Sequence, residues 1–267
     1  MWTREELKTK AKATMKKGYW KMFIVGLLLA FVNGGGGSSG GRGTSSIRNE
    51  ANFTNVDISS GVEEGISEGS RFISEIPGMW AVLFTGMIGL IFVGILVAFA
   101  LRIMLGYPLE VGCKKFFVDT TEHQFDLNKI GFSFKSNRYW DVVRTMLYKA
   151  VLIFLWSLLL IIPGIIKAYG YRMVPYILAE NPSIGHWRAL ELSLAMTDGQ
   201  KMDIFVLDLS FIGWYLLGTL AFGIGVVFVN PYVYGTNAEL YRALKEQALY
   251  DNLCTPDEFV EEAAYEF

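Results

Sequence analysis

Met79-Trp-Ala-Val-Leu-Phe-Thr-Gly-Met-Ile-Gly-Leu-Ile-Phe-Val-Gly-Ile-Leu-Val-Ala-Phe-Ala-Leu101 carries no charged residue from end to end. An α-helix gains about 1.5 Å per residue, so about 20 apolar residues cross the roughly 30 Å of hydrocarbon in a bilayer. A helix in a soluble core needs far fewer. Val151 to Ile166 and Ser210 to Val229 are likewise uncharged, and each is interrupted by glycine or proline. With 52% hydrophobic, 15% aromatic and 19% charged residues, the composition sits on the membrane side of the ordinary range. The expected fold class is therefore all-α, a polytopic bundle of transmembrane helices.

Charge distribution sets the expected topology. Net charge is only −2, but the chain opens on Arg4, Lys8, Lys10, Lys12, Lys16, Lys17 and Lys21 and closes on an acidic tail, 249–267, without Lys or Arg. A basic segment beside an apolar one marks the cytoplasmic side of a membrane more simply than it marks a nucleic-acid partner. Residues 1–17 read as an amphipathic basic lead-in. It either touches anionic lipid headgroups or only fixes orientation from solution. The apolar run Met22 to Val32 also resembles a signal-peptide core. The long charged lead-in and the lack of an Ala-x-Ala site favour an uncleaved first span.

Working outward, spans are expected near 18–32, 79–101, 145–162, 164–178, 204–220 and 223–241. A Gly/Ser-rich external loop, 33–78, separates the first two. Both termini then lie inside, with Lys/Arg-bearing loops on the same side. An internal repeat supports pairing the spans. Met146 to Trp156 can be laid over Ile204 to Trp214, and each stretch is followed by a Gly turn, a second apolar segment and a Tyr/Pro cluster. Leu105-Gly-Tyr-Pro108 resembles a third copy, giving three helical hairpins.

Ionisable groups within a bilayer are costly, so each raises a functional question. Lys149, Lys167, Arg172 and Asp208 are the candidates. The repeat places Lys149 nearly opposite Asp208, where they either pair or sit separately at the inner interface with Lys149 snorkelling to water. Lys167 is expected at external headgroups, and Arg172 faces the bundle or snorkels. The tyrosines near Tyr169–Tyr176 and Tyr232–Tyr241 read as packing at the membrane interface rather than as a ligand site. No catalytic, cofactor-binding or metal-ligating residues are expected. His123 and His186 are the only histidines, neither spaced with acids or cysteines for a metal, and the phosphate-loop and nucleophile-elbow signatures are missing. Cys113 and Cys254 belong to segments read as cytoplasmic, where a structural disulfide is not expected.

Tyr176-Ile-Leu-Ala-Glu-Asn-Pro182, Met196-Thr-Asp-Gly-Gln-Lys201, Leu207-Asp-Leu-Ser-Phe-Ile-Gly-Trp214, Gly223-Ile-Gly225, Pro231-Tyr232 and Thr236-Asn-Ala-Glu-Leu-Tyr241 together resemble the bacterial membrane family called domain of unknown function 975. The Lys8 to Trp20 lead-in resembles that family too. The resemblance implies a multi-span helical protein of the bacterial plasma membrane and carries no activity or binding residue with it. The expectation is a non-enzymatic integral membrane protein without cofactors, acting through membrane lipids or other membrane proteins. A small transporter with a path near Lys167, Arg172 and Asp208 is the alternative, ahead of a lipid-modifying enzyme.

Overall fold

The computed structural model describes residues 2–32, 84–134, 136–220 and 224–259, and no strand occurs among them. The regular elements are α1 (Arg4–Val32), α2 (84–101), α3 (Tyr107–Thr121), α4 (Ser136–Leu159), α5 (Ile161–Gly170), α6 (Val174–Glu180), α7 (His186–Met196), α8 (Lys201–Leu209), α9 (Ile212–Leu220) and α10 (Ile224–Tyr250). The expected all-α class is met. The loop 33–78, the start of the 79–101 span, the turn 221–223 and the end of the acidic tail lie outside the described residues.

The chain divides into two compact units, Ser38–Ala100 and the remainder. In the first, the described residues form α2, whose apolar side chains are all exposed, Leu90, Phe92 and Phe99 among them. A helix apolar on every face suits lipid rather than water.

Among the described residues, three helical stretches are long and apolar enough to cross a membrane: Phe84–Thr121, Arg138–Leu159 and Lys201–Leu220. They coincide with the expected spans near 79–101, 145–162 and 204–220. The other three expected spans take different forms. The 18–32 segment is the second arm of α1, too short after the Gly18 break to reach span length on its own. The 223–241 segment lies in α10, where Asn230, Pro231 and Glu239 dilute the apolar run. The 164–178 segment is not one helix. It breaks into α5 and α6 at Tyr171–Met173, and Val174 to Ala179 are all buried.

Two antiparallel pairs form in the large unit. Leu160 is extended (φ −157°, ψ 138°) between α4 and α5, so the chain reverses there rather than at Pro163-Gly164. Pro163 falls in the first turn of α5, where its missing N–H costs nothing. A Cβ on Gly164 would lie 2.8 Å from Ser157 Cα, so only glycine permits this approach of the two helices. Similarly, a Cβ on Gly218 of α9 would meet Val226 N of α10 at 2.7 Å.

The closed core lies around α3, α6, α7 and the second half of α10, where Phe116, Phe117, Tyr176, Leu192 and Tyr241 are fully buried or nearly so. Tyr176 and Tyr241 stack with ring centroids 5.2 Å apart. The Tyr241 hydroxyl donates to Glu180 (2.7 Å), which Lys245 also grips at 2.7 and 2.9 Å. These two tyrosines pack in the protein core rather than at the expected membrane interface. Met22, Val25 and Leu29 of α1 and Val142 and Met146 of α4 join this core, whereas Phe31 of α1, Leu158 and Leu159 at the end of α4, Ile161 and Ile162 of α5 and Leu216 and Leu220 of α9 face outward.

The α1 helix has an elbow. Gly18 leaves helical geometry (φ −149°, ψ 35°), and a Cβ there would stand 2.3 Å from the Phe125 ring. Lys17 Nζ lies 3.2 Å from His123 Nε2 and Lys21 Nζ donates to the Phe125 carbonyl at 3.0 Å, fastening the bend to the segment after α3. Both arms close on α10. Ala11 and Met22 flank Gly235, and Gly26 abuts Pro231.

Candidate functional site

Arg172 and Asp208 meet. The turn between α5 and α6 directs the guanidinium at α8, where Nη1 donates to Asp208 Oδ2 and Nη2 to Oδ1 at 2.8 Å. Nη2 also donates to Asn237 Oδ1 of α10 at 2.8 Å, and the Tyr169 hydroxyl donates to Asp208 Oδ2 at 3.1 Å. The guanidinium lies 5.7 Å from the Tyr169 ring centroid. Two parallel N–H···O bonds between planar ions fix both distance and direction, and the Asn237 contact draws in a further helix. The arrangement is a tie between the α5–α6 turn, α8 and α10. With side chains 21% and 31% exposed, the pair is shielded but not sealed.

The possible Lys149–Asp208 pair is not formed. Asp208 is occupied by Arg172 and Tyr169, and Lys149 makes no hydrogen bond or ion pair among the described residues. The charges that act on Lys149 are those of Glu110 and Lys114 on α3. The repeat alignment put Lys149 and Asp208 at matching positions, but α4 turns that face towards α3. Lys167 takes a third position, its Nζ 5.4 Å from the Trp156 ring across the α4–α5 pair. Of the four candidates, the fold brings two together and leaves two apart.

A second feature lies along the first arm of α1. Lys8, Lys12 and Lys16 recur at every fourth residue and so share a helix face. Lys8 donates to the Ser210 hydroxyl at 2.7 Å and sits 4.8 Å from the Phe211 ring centroid. Burial first, and then the neighbouring charges of Arg4 and Lys12, push its ammonium below the usual lysine range. Lys12 lies 5.7 Å from the Tyr232 ring centroid. Beyond it opens a cleft of about 630 Å³, walled by Tyr19, Trp214, Phe228 and Tyr232, with Lys12 and Lys16 along its edge. Among the described residues no acidic side chain lines it. Lysine periodicity was legible in the sequence; the aromatic wall, which joins Tyr19 of α1 to Trp214, Phe228 and Tyr232 of α9 and α10, was not.

Among the described residues no group of three or more His, Cys, Asp or Glu is placed to hold a metal. Both cysteines are free and buried, and His186 packs against Tyr148 with ring centroids 5.3 Å apart.

Residues 158–248 match the family described as Protein of unknown function (DUF975). The resemblance seen in the sequence thus holds from the end of α4 into α10. The matched segment contains Arg172, Asp208 and Asn237 and, of the cleft's wall, Trp214, Phe228 and Tyr232, while Lys149, Tyr19 and the α1 lysines precede it. The family description assigns no activity to it. No curated protein and no solved structure matches the chain.

Proposed function

We propose that this is a multi-pass protein of the bacterial plasma membrane, non-enzymatic, working through lipids or protein partners of the envelope. In this reading the three long apolar stretches cross the bilayer, the shorter apolar arms of α1, α5 and α10 complete three helical hairpins, and both termini lie in the cytoplasm. The observation that carries it is the segregation of side chains in the large unit. Phe154, Leu158 and Leu159 of α4, Ile161 and Ile162 of α5, and Leu216, Leu217 and Leu220 of α9 are exposed, while the α3–α6–α7 core is closed. In water, apolar surface on this scale would draw the chain into aggregates, at about 25 cal/mol per Å² left unburied. In hydrocarbon it is at no disadvantage. The close approaches at Gly164 and Gly218 support two of the hairpins.

The charge tie supports a binding or scaffolding role, because Asp208 is held by Arg172 of the α5–α6 turn and Tyr169 of α5, which fastens neighbouring parts of the chain together. The test is purification from native membranes after alkaline carbonate washing, followed by lipid and protein identification. The chain should stay in the membrane fraction and recover specific lipids or proteins. Release by carbonate, or recovery with neither, overturns the reading.

A further inference from the structure

The lysines of α1 fall into two groups. Lys8 is bonded to Ser210, Lys10 pairs with Glu6 at 2.7 Å, Lys17 meets His123 and Lys21 holds the Phe125 carbonyl. Lys12 and Lys16 are exposed and have no hydrogen bond or ion pair among the described residues. They stand one helical turn apart on the edge of the cleft, with Lys8 another turn away. Like charges at this spacing repel, so the row is unfavourable until something anionic lies against it. The cleft wall is of the opposite character, aromatic and aliphatic, with Trp214 and Phe228 exposed at its surface.

From this juxtaposition we propose that the cleft holds one anionic phospholipid of the bilayer leaflet, its phosphate on Lys12 and Lys16 and an acyl chain along Trp214, Phe228 and Tyr232. The volume of about 630 Å³ lies within the roughly 300–1,000 Å³ of ligand clefts. A nucleic acid would leave the apolar wall unused. A soluble phosphate would likewise occupy only the edge. A partner helix would need its own acids at the two lysines, whereas a phospholipid supplies the anion and the apolar tail in one molecule. Trp214 of the wall shares α9 with the exposed apolar side chains Leu217 and Leu220, which the membrane reading places in lipid.

This inference rests on the membrane reading above, and the experiment separates the two. The full chain is purified in detergent, and bound lipids are counted by native mass spectrometry during titration with phosphatidylglycerol, phosphatidylcholine or glycerol phosphate. The wild type should retain one phosphatidylglycerol in preference to phosphatidylcholine, with no displacement by glycerol phosphate. Each lysine near an anionic surface contributes enough that Lys12→Gln with Lys16→Gln should weaken retention by roughly 30-fold. Val229→Trp, which fills the cleft and keeps both lysines, should abolish it. Both variants should remain in carbonate-washed membranes and keep the wild-type melting temperature.

Three results overturn the proposal: equal retention by wild type and the lysine variant, equal retention of phosphatidylcholine, or displacement by glycerol phosphate. If these occur while the chain stays membrane-embedded, the lipid site fails alone. If the wild type leaves the membrane fraction, the function reading fails with it.

Discussion

Replacing Asp208 with Asn removes one charge and little volume, so it isolates the Arg172 tie from packing. The amide oxygen can still accept one bond, but the bidentate grip is lost and Arg172 is left with neutral acceptors only, that amide and Asn237. Breaking a fully buried ion pair costs about 3–5 kcal/mol, and a hydrogen bond to a charged group contributes about 1.5–3 kcal/mol. With side chains 21% and 31% exposed, solvent screens part of the loss, and about 2 kcal/mol is the expected cost. For a chain of this size that lowers the melting temperature by about 4–8 °C. The assay is thermal unfolding of the purified protein in detergent, alongside steady-state abundance in membranes. Arg172→Gln closes a double-mutant cycle, and the two changes should be strongly non-additive because each removes the same interaction. Asp208→Asn melting with the wild type, or two additive single effects, would refute the structural tie. Unchanged abundance with altered solute flux would move the pair to a transport path.

Two further expectations concern the ends of the chain. Glu258 accepts two bonds from Arg188, at 2.7 and 3.1 Å, which hold its carboxyl below the usual range, with smaller help from the Thr255 backbone. A lowered folded value means the carboxylate stabilises the fold fully above pH about 4.5, the ordinary value, and that this is lost as pH falls from there through the folded value. Melting temperature measured from pH 7 to pH 3 should therefore drop less steeply in Glu258→Gln than in wild type. At the elbow, Gly18→Ala drives a Cβ to 2.3 Å from the Phe125 ring and should destabilise by about 1–3 kcal/mol, partly recovered by adding Phe125→Ala. A higher melting temperature for Gly18→Ala alone would mean that helix propensity, not ring contact, governs the bend.

Much of the class was legible because lipid imposes a simple rule on sequence, namely long uncharged runs, and those of α2, α4 and α8–α9 obey it. Local reading stops where packing is long-range. Val174 to Ala179 has the composition of a span, but a short helix buried on all sides by protein looks the same as half a helix in lipid. Arg172 and Asp208 stood out as charges in apolar segments, while their pairing depended on the turn at Tyr171–Met173, which no periodicity announces. Asn237, an ordinary polar residue in its own segment, joins the tie only because α10 crosses beside α8. The cleft is the same case: its lysines lie on one short helix face, and Trp214, Phe228 and Tyr232 come from the far end of the chain.

The membrane topology stands beneath every other conclusion, and site-directed labelling tests it most directly. With Cys113 and Cys254 replaced by alanine, Ser45→Cys and Ser183→Cys are introduced singly and treated in intact cells with a membrane-impermeant maleimide. The account predicts labelling of the cysteine at 45 from outside, and of the one at 183 only after the membrane is opened. Labelling of position 183 in intact cells, or equal behaviour of the two sites, would contradict it.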